Sequence, residues 1–157
     1  MRIIRWTIFS VAMTLSAAAQ ARPADCASTP ADVEAVSGTV RALFAALAKD
    51  DEQAFGRVTS SGFYAFEVGE RFTGPELLAV IKKAHQDGTT LEWNIGQVDV
   101  RASCDTAWAA WENVGKAGKA PDVRPMAWLE SAGFKRIGGR WVMEFMHSTP
   151  KRPVKKP

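Results

Sequence analysis

Carboxyl groups are the side chains of this sequence best suited to proton-transfer chemistry, and Glu144 is the most unusual of them. It interrupts the apolar run Val142–Met146, where an unpaired carboxylate would be expensive to bury. On a regular strand its face would also carry Met146 and Ser148. Either Glu144 has a role inside the protein, or it faces solvent or pairs across a dimer interface.

Other site chemistries lack the residues they need. The two histidines and two cysteines show no metal-ligand spacing, and the sequence has no glycine-rich phosphate loop or nucleophile elbow. We therefore expect no metal and no cofactor. His85 ends a predicted helix, where a cation suits the helix dipole, and His147 has no triad partner in the sequence, so we expect a structural hydrogen bond from it.

The N-terminus has the pattern of an export signal. Two arginines within residues 1–6 precede an apolar run over 7–15, and small residues over 16–21 end in Ala19-Gln20-Ala21. This pattern predicts a signal peptide over residues 1–21, a periplasmic or secreted location, and no membrane contact after cleavage. The alternative is a transmembrane anchor, but the apolar run is much shorter than the roughly 20 residues that span a bilayer.

Export changes the interpretation of the two cysteines. In an oxidising compartment, Cys26 and Cys104 most simply form one disulfide, which would join the N-terminal extension to a turn between two strands. The alternative is a free catalytic thiol at Cys104, which has no evident histidine partner.

The charge distribution argues against a nucleic-acid partner. The formal charge is +3, but it comes from two arginines in the leader and four basic residues in the last seven positions. The body between them is slightly acidic, whereas nucleic-acid binding needs a clustered basic face.

Tryptophan is unusually frequent on the predicted strands. The default interpretation is an aromatic core with cross-strand pairs, and the functional one is an aromatic wall for a flat or apolar ligand. The five tryptophans of the mature chain are Trp93, Trp108, Trp111, Trp128 and Trp141.

Helical signals dominate the first half of the mature chain. Thr29-Pro30 opens a helix with a buried stripe, and Glu52–Val58 forms a second short helix in a unit that Gly62 ends. A capping box over Thr73–Glu76 opens a third helix, Leu77–His85.

A short strand over Phe63–Val68 separates the second and third helices and ends in a polar turn through Gly69–Arg71. Four long strands follow the third helix. A change of apolar parity at Gly96 predicts a β-bulge and a sharp bend. The segment Thr106–Val114 suggests burial on both faces, and Gly115–Pro125 has the composition of a loose hairpin loop.

Gly138-Gly139 supplies the tight turn of the last hairpin. The predicted fold is therefore α+β, a curved antiparallel sheet wrapped around N-terminal helices. Such a sheet leaves a cone-shaped cavity suited to small ligands. We expect residues 22–149 to form one domain and residues 150–157 to be a disordered basic tail.

The element order and several short motifs resemble the NTF2-like superfamily, with its cystatin-like fold, and within it the SnoaL-like, DUF4440-type branch. The motifs are the Thr73–Glu76 helix start, the strand start Asp105–Trp108, and Gly138–Trp141 running to His147-Ser148. This branch commonly has glycine where the chain has Cys104, a departure that fits the disulfide. The resemblance covers residues 32–149 and implies a cone-shaped α+β barrel, often a homodimer through the outer sheet face. Its members include isomerases, hydrolases, dehydratases and binding modules, so the fold alone does not choose a function.

The resemblance also suggests roles for two carboxylates. Ketosteroid isomerase, a member of the superfamily, uses a carboxylate base, and Glu67 falls nearest to that position. Tyr64 would point to the opposite face of the strand, and the alternative for Glu67 is a solvated charge at a strand end. The kinase association domains of the superfamily line their pocket from the register of Glu144, Met146 and Ser148. By that resemblance Glu144 lies in the cavity with a raised pKa and acts as acid or base.

Those kinase association domains also carry cavity arginines that bind carboxylate ligands. The matching positions here are Ala132 and Ser148, so an anionic ligand loses its anchor. We predict an exported, dimeric domain that binds a small, largely apolar molecule; the alternatives are an isomerase, lyase or hydrolase with a pocket carboxylate as general base, and an interaction module without a ligand. The predicted catalytic residues are Glu144 and Glu67, and the predicted ligand-binding residues are Trp93, Trp111, Trp128, Glu130, Met146 and Ser148.

Overall fold

Residues 26–151, the part of the chain that the structure describes, fold as one curved six-stranded sheet with three helices. The computed structural model describes residues 26–151, so the predicted signal peptide over residues 1–21 and residues 152–157 of the predicted tail lie outside the described residues. The strands lie in the order β2-β1-β6-β5-β4-β3. They are β1 (Thr59–Glu67), β2 (Glu70–Thr73), β3 (Thr89–Ser103), β4 (Thr106–Lys119), β5 (Arg124–Ile137) and β6 (Arg140–Pro150).

Helix α1 (Pro30–Leu47) is the central element packed against the sheet, and it begins where the sequence predicts. Thr29 is its N-cap, and its hydroxyl accepts a hydrogen bond from the Asp32 N–H at 3.1 Å. Val36, Val40 and Leu43 are fully buried on one stripe of the helix. Burying a side chain of this kind contributes about 1.5–3 kcal/mol, so the stripe fixes α1 against the sheet.

Helices α2 (Glu52–Val58) and α3 (Gly74–Gln86) also form close to the predicted positions. The predicted capping box opens α3, with the Thr73 N–H donating to Glu76 at 2.8 Å. The helix buries Leu77 and Ile81.

The last four strands are antiparallel, and two bulges bend them. The β3–β4 register shifts between Ile95 and Val98, which confirms the bulge predicted at Gly96. A second bulge, which the sequence does not signal, leaves Glu144 as an extra residue between Met143 and Phe145. The inward-facing parity of β6 therefore changes at Glu144.

The turn chemistry explains the last hairpin and the disulfide. Gly138 and Gly139 connect β5 to β6 with φ of 56° and 77°, the left-handed region that glycine adopts without strain. Cys104 also has a positive φ, 51°, in the β3–β4 turn. The predicted Cys26–Cys104 disulfide is confirmed, with Cα atoms 4.7 Å apart. The alternative of a free thiol at Cys104 is wrong.

Four local expectations need correction. The segment predicted as a polar turn at residues 69–71 is largely strand β2. Gly62 lies inside β1 and does not end a helical unit. The sheet is not antiparallel throughout, because β1 pairs with β6 in parallel. The predicted loose loop over 115–125 is instead mostly strand. A Cβ on Gly115 would lie 1.8 Å from the Glu92 carbonyl oxygen, so this glycine permits close strand approach and does not mark a loop.

The expectation that Thr106–Val114 is buried on both faces is also wrong. Trp108 is 52% exposed on the outer face of the sheet, while its neighbours Ala107 and Ala109 are buried. Alternation along β4 explains this, because successive side chains point to opposite faces.

The described chain ends on the sheet. Pro150 closes β6, and the next residue, Lys151, donates to Glu112 at 2.7 Å. Among the described residues, no helix has the length and apolarity needed to cross a membrane.

Candidate functional site

A cavity of about 300 Å³ lies between the sheet and helices α1 and α3. Its walls are almost entirely apolar, with four aromatic rings among them. Side chains that line it include Phe44, Leu47, Phe72, Leu77, Ile81, Leu91, Trp93, Met126, Trp128 and Met146. An apolar hollow of this size with a few polar groups is the usual form of a small-molecule site.

Three polar side chains interrupt the apolar wall, and strand register places them in one row. Glu130 on β5 pairs directly with Ser148 on β6. Phe66 on β1 pairs with His147 on β6 in parallel, so the next residues, Glu67 and Ser148, are also neighbours. All three members of the row, Glu67, Ser148 and Glu130, line the cavity.

Glu130 is a buried carboxyl held by neutral donors. It is 5% exposed, and its Oε2 accepts hydrogen bonds from Trp111 Nε1 at 2.5 Å and from Asn113 Nδ2 at 3.2 Å. Trp111 pairs with Glu130 across β4 and β5, so the sheet itself aims the indole N–H at the carboxyl.

The pKa of Glu130 is raised to about 7, chiefly by burial and to a smaller extent by the neighbouring Glu67 carboxylate, while hydrogen bonds from Asn113, Trp111 and Ser148 oppose the shift. The desolvation effect wins because the donors are neutral. Near neutral pH Glu130 therefore exists in both protonation states and can donate or accept a proton.

Glu67 is the second carboxyl of the site and is half-buried. Burial raises its pKa, while a hydrogen bond with Ser148 and the nearby His147 act in the opposite direction. The Ser148 hydroxyl lies between the two carboxyls and lowers the pKa of both. Since a hydroxyl has one proton to donate, it can link a protonated carboxyl on one side to an ionised one on the other.

The structure brings together most of the residues predicted to bind ligand. Trp93, Trp128 and Met146 line the cavity together with Glu130 and Ser148. Trp111 is buried behind the wall, where it holds Glu130 and packs edge-on against Phe44 with ring centroids 6.2 Å apart. Trp111 therefore belongs to the core, as the default interpretation predicts, and Trp93 and Trp128 form part of the cavity wall, while their contact with a ligand stays a prediction.

Glu144 is the predicted catalytic residue that the structure places elsewhere. The expectation that it lies in the cavity is wrong, because Glu144 is the extra residue of the β6 bulge and does not line the hollow. It is half-buried, and the parity change places Met146 and Ser148 on the cavity face without it. Of the three residues predicted to share the cavity face of β6, Met146 and Ser148 line the cavity and Glu144 does not.

The opposite face of β1 and β6 carries an aromatic cluster. Tyr64 and Phe66 contact Phe145, with ring centroids 5.0 and 5.5 Å apart. This confirms that Tyr64 and Glu67 do not share a pocket. His147 lies beside Phe66 and contacts the Thr149 hydroxyl at 3.3 Å, in agreement with a structural hydrogen bond.

Asn113 is the site residue that sequence reasoning missed. It is fully buried on β4, its amide donates to Glu130, and its Oδ1 has no hydrogen-bond partner. The available signal was register: Asn113 is two residues from Trp111 and so on the same strand face. Within residues 26–151, no cluster of three or more histidine, cysteine, aspartate or glutamate residues could hold a metal ion.

Comparisons with known proteins identify the fold. No protein-family model matches the chain, and no curated protein matches it in sequence. Solved structures do match: a ketosteroid isomerase-like protein from Erwinia carotovora atroseptica has a TM-score of 0.66 at 17% identity over 80% of this chain and 100% of its own. A candidate dehydratase from the NTF2-like family of Streptomyces avermitilis has a TM-score of 0.66 at 18% identity, with the same coverage.

A third similar structure is a protein of unknown function with a cystatin-like fold from Nostoc punctiforme. Its TM-score is 0.65 at 12% identity, over 78% of this chain and 93% of its own. The chain therefore has the NTF2-like, cystatin-like fold, as the sequence motifs suggested. At these identities the likeness concerns the fold alone, and membership of the SnoaL-like, DUF4440-type branch stays a prediction.

Proposed function

We propose that this chain is an exported NTF2-fold domain that binds a small, largely apolar molecule in the cavity between sheet and helices. The observation that carries the proposal is the cavity of about 300 Å³, whose apolar wall is interrupted by Glu67, Ser148 and Glu130. A core built only for stability would not keep two carboxyls beside an empty volume, because each costs desolvation energy there.

Export and dimerisation are further parts of the proposal. The signal-peptide pattern and the Cys26–Cys104 disulfide support an oxidising periplasmic or secreted location. The outer sheet face supports a homodimer, because it exposes Phe66, Trp108 and Leu129 by 41–52%. An apolar face of this kind is a common mark of an interface.

A second candidate function is an isomerase, lyase or hydrolase, and the convergence of two carboxyls favours it. Glu67 would act as general base, and protonated Glu130 would donate a hydrogen bond to an oxygen that gains charge in the reaction. Among the similar structures are a ketosteroid isomerase-like protein and a candidate dehydratase, and such chemistry fits two carboxyls in an apolar cavity. Glu144 has no part in this candidate because it does not line the cavity.

The first test asks whether the cavity carries a ligand. Protein purified from the compartment to which it is exported would be studied by native mass spectrometry, and we expect a bound molecule in addition to the polypeptide mass. Val80, 52% exposed and on the cavity lining, would be changed to tryptophan to obstruct the cavity. Val114, 47% exposed and not on the cavity lining, provides the matched tryptophan control.

We expect Val80→Trp to lose the extra mass and Val114→Trp to keep it. Retention in both variants, or loss only in Val114→Trp, would contradict the cavity as the binding site. The catalytic candidate would be supported by turnover of the identified ligand that disappears in Glu67→Gln.

A further inference from the structure

The polar end of the cavity has an excess of hydrogen-bond acceptors. Glu67 and Glu130 bring carboxyl oxygens, and Ser148 has one hydroxyl proton for the two of them. The two N–H donors, Trp111 and Asn113, both reach the same oxygen, Oε2 of Glu130. A ligand that satisfies the acceptors at the polar end of the cavity must therefore supply hydrogen-bond donors.

Asn113 adds an independent sign of the same imbalance. Its side chain is fully buried, its Nδ2 lies 3.2 Å from Glu130, and its Oδ1 has no hydrogen-bond partner. A buried acceptor without a partner is unfavourable. Asn113 lies behind the cavity wall, so its unpaired oxygen adds to the surplus of acceptors around Glu130 and is not itself a contact for the ligand.

Charge in the cavity points in the same direction. Among the described residues that line it, two are acidic and none is lysine, arginine or histidine. Two carboxyls close together in an apolar hollow disfavour a second negative charge and favour a positive one. The aromatic wall adds to this preference, because the faces of Trp93 and Trp128 attract cations.

We propose that the cavity binds a protonated amine carried on a compact apolar body, with the ammonium group between Glu67 and Glu130. This inference rests on the proposed binding function and names the chemical class of its ligand. A primary ammonium group supplies three N–H donors and one positive charge, which match the surplus acceptors and the two carboxyls. A neutral alcohol supplies one donor and no charge. A carboxylate supplies no donor and carries a negative charge.

Binding of a cation would also change the protonation of the site. The titratable groups that act on one another here are Glu67, Glu130 and, from the outer face, His147. An ammonium favours the ionised carboxyls, so its binding releases protons near neutral pH and its affinity increases as the pH rises from about 5 to about 8. A neutral ligand would show little of this dependence.

The test uses three probes with one adamantane body: the amine, the alcohol and the carboxylate. Isothermal titration calorimetry at about pH 8 with the mature, disulfide-bonded protein should show the amine binding about tenfold or more tighter than the alcohol, since hydrogen bonds to charged groups are the stronger ones. The carboxylate should bind most weakly. Glu67→Gln should strongly reduce the preference for the amine, because only Glu130 then remains to pair with the ammonium. Circular dichroism and thermal unfolding check that the variant folds.

Glu34→Gln serves as the matched control, because Glu34 is exposed on α1 and does not line the cavity. Equal binding of amine and alcohol, or tightest binding of the carboxylate, would overturn the amine proposal and leave the binding function standing. Absence of binding by all three probes would count against both proposals. An amine preference that is undiminished in Glu67→Gln would overturn the assigned ammonium position.

Discussion

Two carboxylates of this protein accept a hydrogen bond from a tryptophan N–H, and they behave in opposite ways. Asp32 lies at the start of α1, where Trp141 Nε1 donates to it at 3.2 Å and Arg136 forms an ion pair with it. Glu130 lies in the cavity, where Trp111 donates to it and no basic residue of the described chain forms an ion pair with it. The first pairing joins the helix to the β5–β6 hairpin, and the second keeps a carboxyl beside a hollow.

The difference appears in their pKa values. Hydrogen bonds from Thr29 and the Arg136 guanidinium hold the pKa of Asp32 far below its usual range. Burial without a cation raises the pKa of Glu130 to about 7. A carboxylate that is paired with a cation and several hydrogen-bond donors, such as Asp32, holds the structure together. A carboxyl without a cation, such as Glu130, can still react or bind a ligand. This contrast distinguishes the scaffold from the candidate site.

The largest expected effect is the pH dependence of stability that Glu130 confers. Its pKa is about 7 in the folded protein and near the usual 4.5 in the unfolded chain, so the folded state holds more protons between these values. The free energy of unfolding should therefore fall as the pH rises through this window, by about 3 kcal/mol for this group. Urea unfolding of the wild type and Glu130→Gln, compared at several pH values, isolates the contribution.

The glutamine in Glu130→Gln cannot titrate. The free energy of unfolding of the wild type should therefore fall relative to that of the variant as the pH rises from about 4 to about 8. A difference that stays constant over this range would show that Glu130 ionises normally.

The two tryptophan donors provide a matched pair with the next largest effect. Trp111→Phe removes the N–H that supports ionised Glu130 and should cost about 1–3 kcal/mol, more at high pH than at low pH. Trp141→Phe leaves Asp32 with Thr29 and Arg136, so its cost should be smaller and constant above about pH 5. Chemical denaturation at two pH values separates the two, and equal pH profiles would remove the distinction between scaffold and site.

Asp32→Asn tests the opposite sign of linkage. Because the pKa of Asp32 is lowered in the folded state, its stabilising contribution is present above the ordinary aspartate pKa and is lost as the pH falls below it. The stability advantage of the wild type over Asp32→Asn should therefore shrink as the pH falls below the ordinary aspartate pKa of 3.8. The Glu130 contribution should instead grow as the pH falls from about 7 to 4.5 and stay constant below that. Acid titrations of both variants by circular dichroism measure the two trends, and parallel trends would contradict the assignment.

The smallest expected effect concerns Glu144. Its bulged position outside the cavity lining predicts that Glu144→Gln changes stability by no more than about 0.5 kcal/mol and leaves probe binding unaltered. Calorimetry with the adamantane amine checks this. A clear loss of binding would show that Glu144 takes part in ligand binding.

Much of the scaffold could be predicted from the sequence because its signals are local. The Thr29 cap, the Thr73–Glu76 capping box and the Gly138-Gly139 turn each act within a few residues, and all three form. The Gly96 bulge was visible as a change of apolar parity. The disulfide followed from an even cysteine count combined with an export signal.

The site was harder to predict because it depends on register between distant strands. The β6 bulge at Glu144 has no glycine and no parity change in the sequence, since apolar residues fill both faces of that strand. Without the bulge, Glu144 would share a face with Met146 and Ser148. Asn113 was missed because only the β4–β5 pairing shows that it meets Glu130.

The most direct measurement is a carbon-13 NMR titration of the glutamate side-chain carboxyls in the free protein, with Glu67→Gln and Glu130→Gln used for assignment. The proposed site predicts that Glu130 titrates near pH 7, far above the usual 4.5, and that its midpoint falls when Glu67 is neutralised. Titration of both carboxyls near 4.5, with no effect of one on the other, would contradict a coupled pair in the cavity.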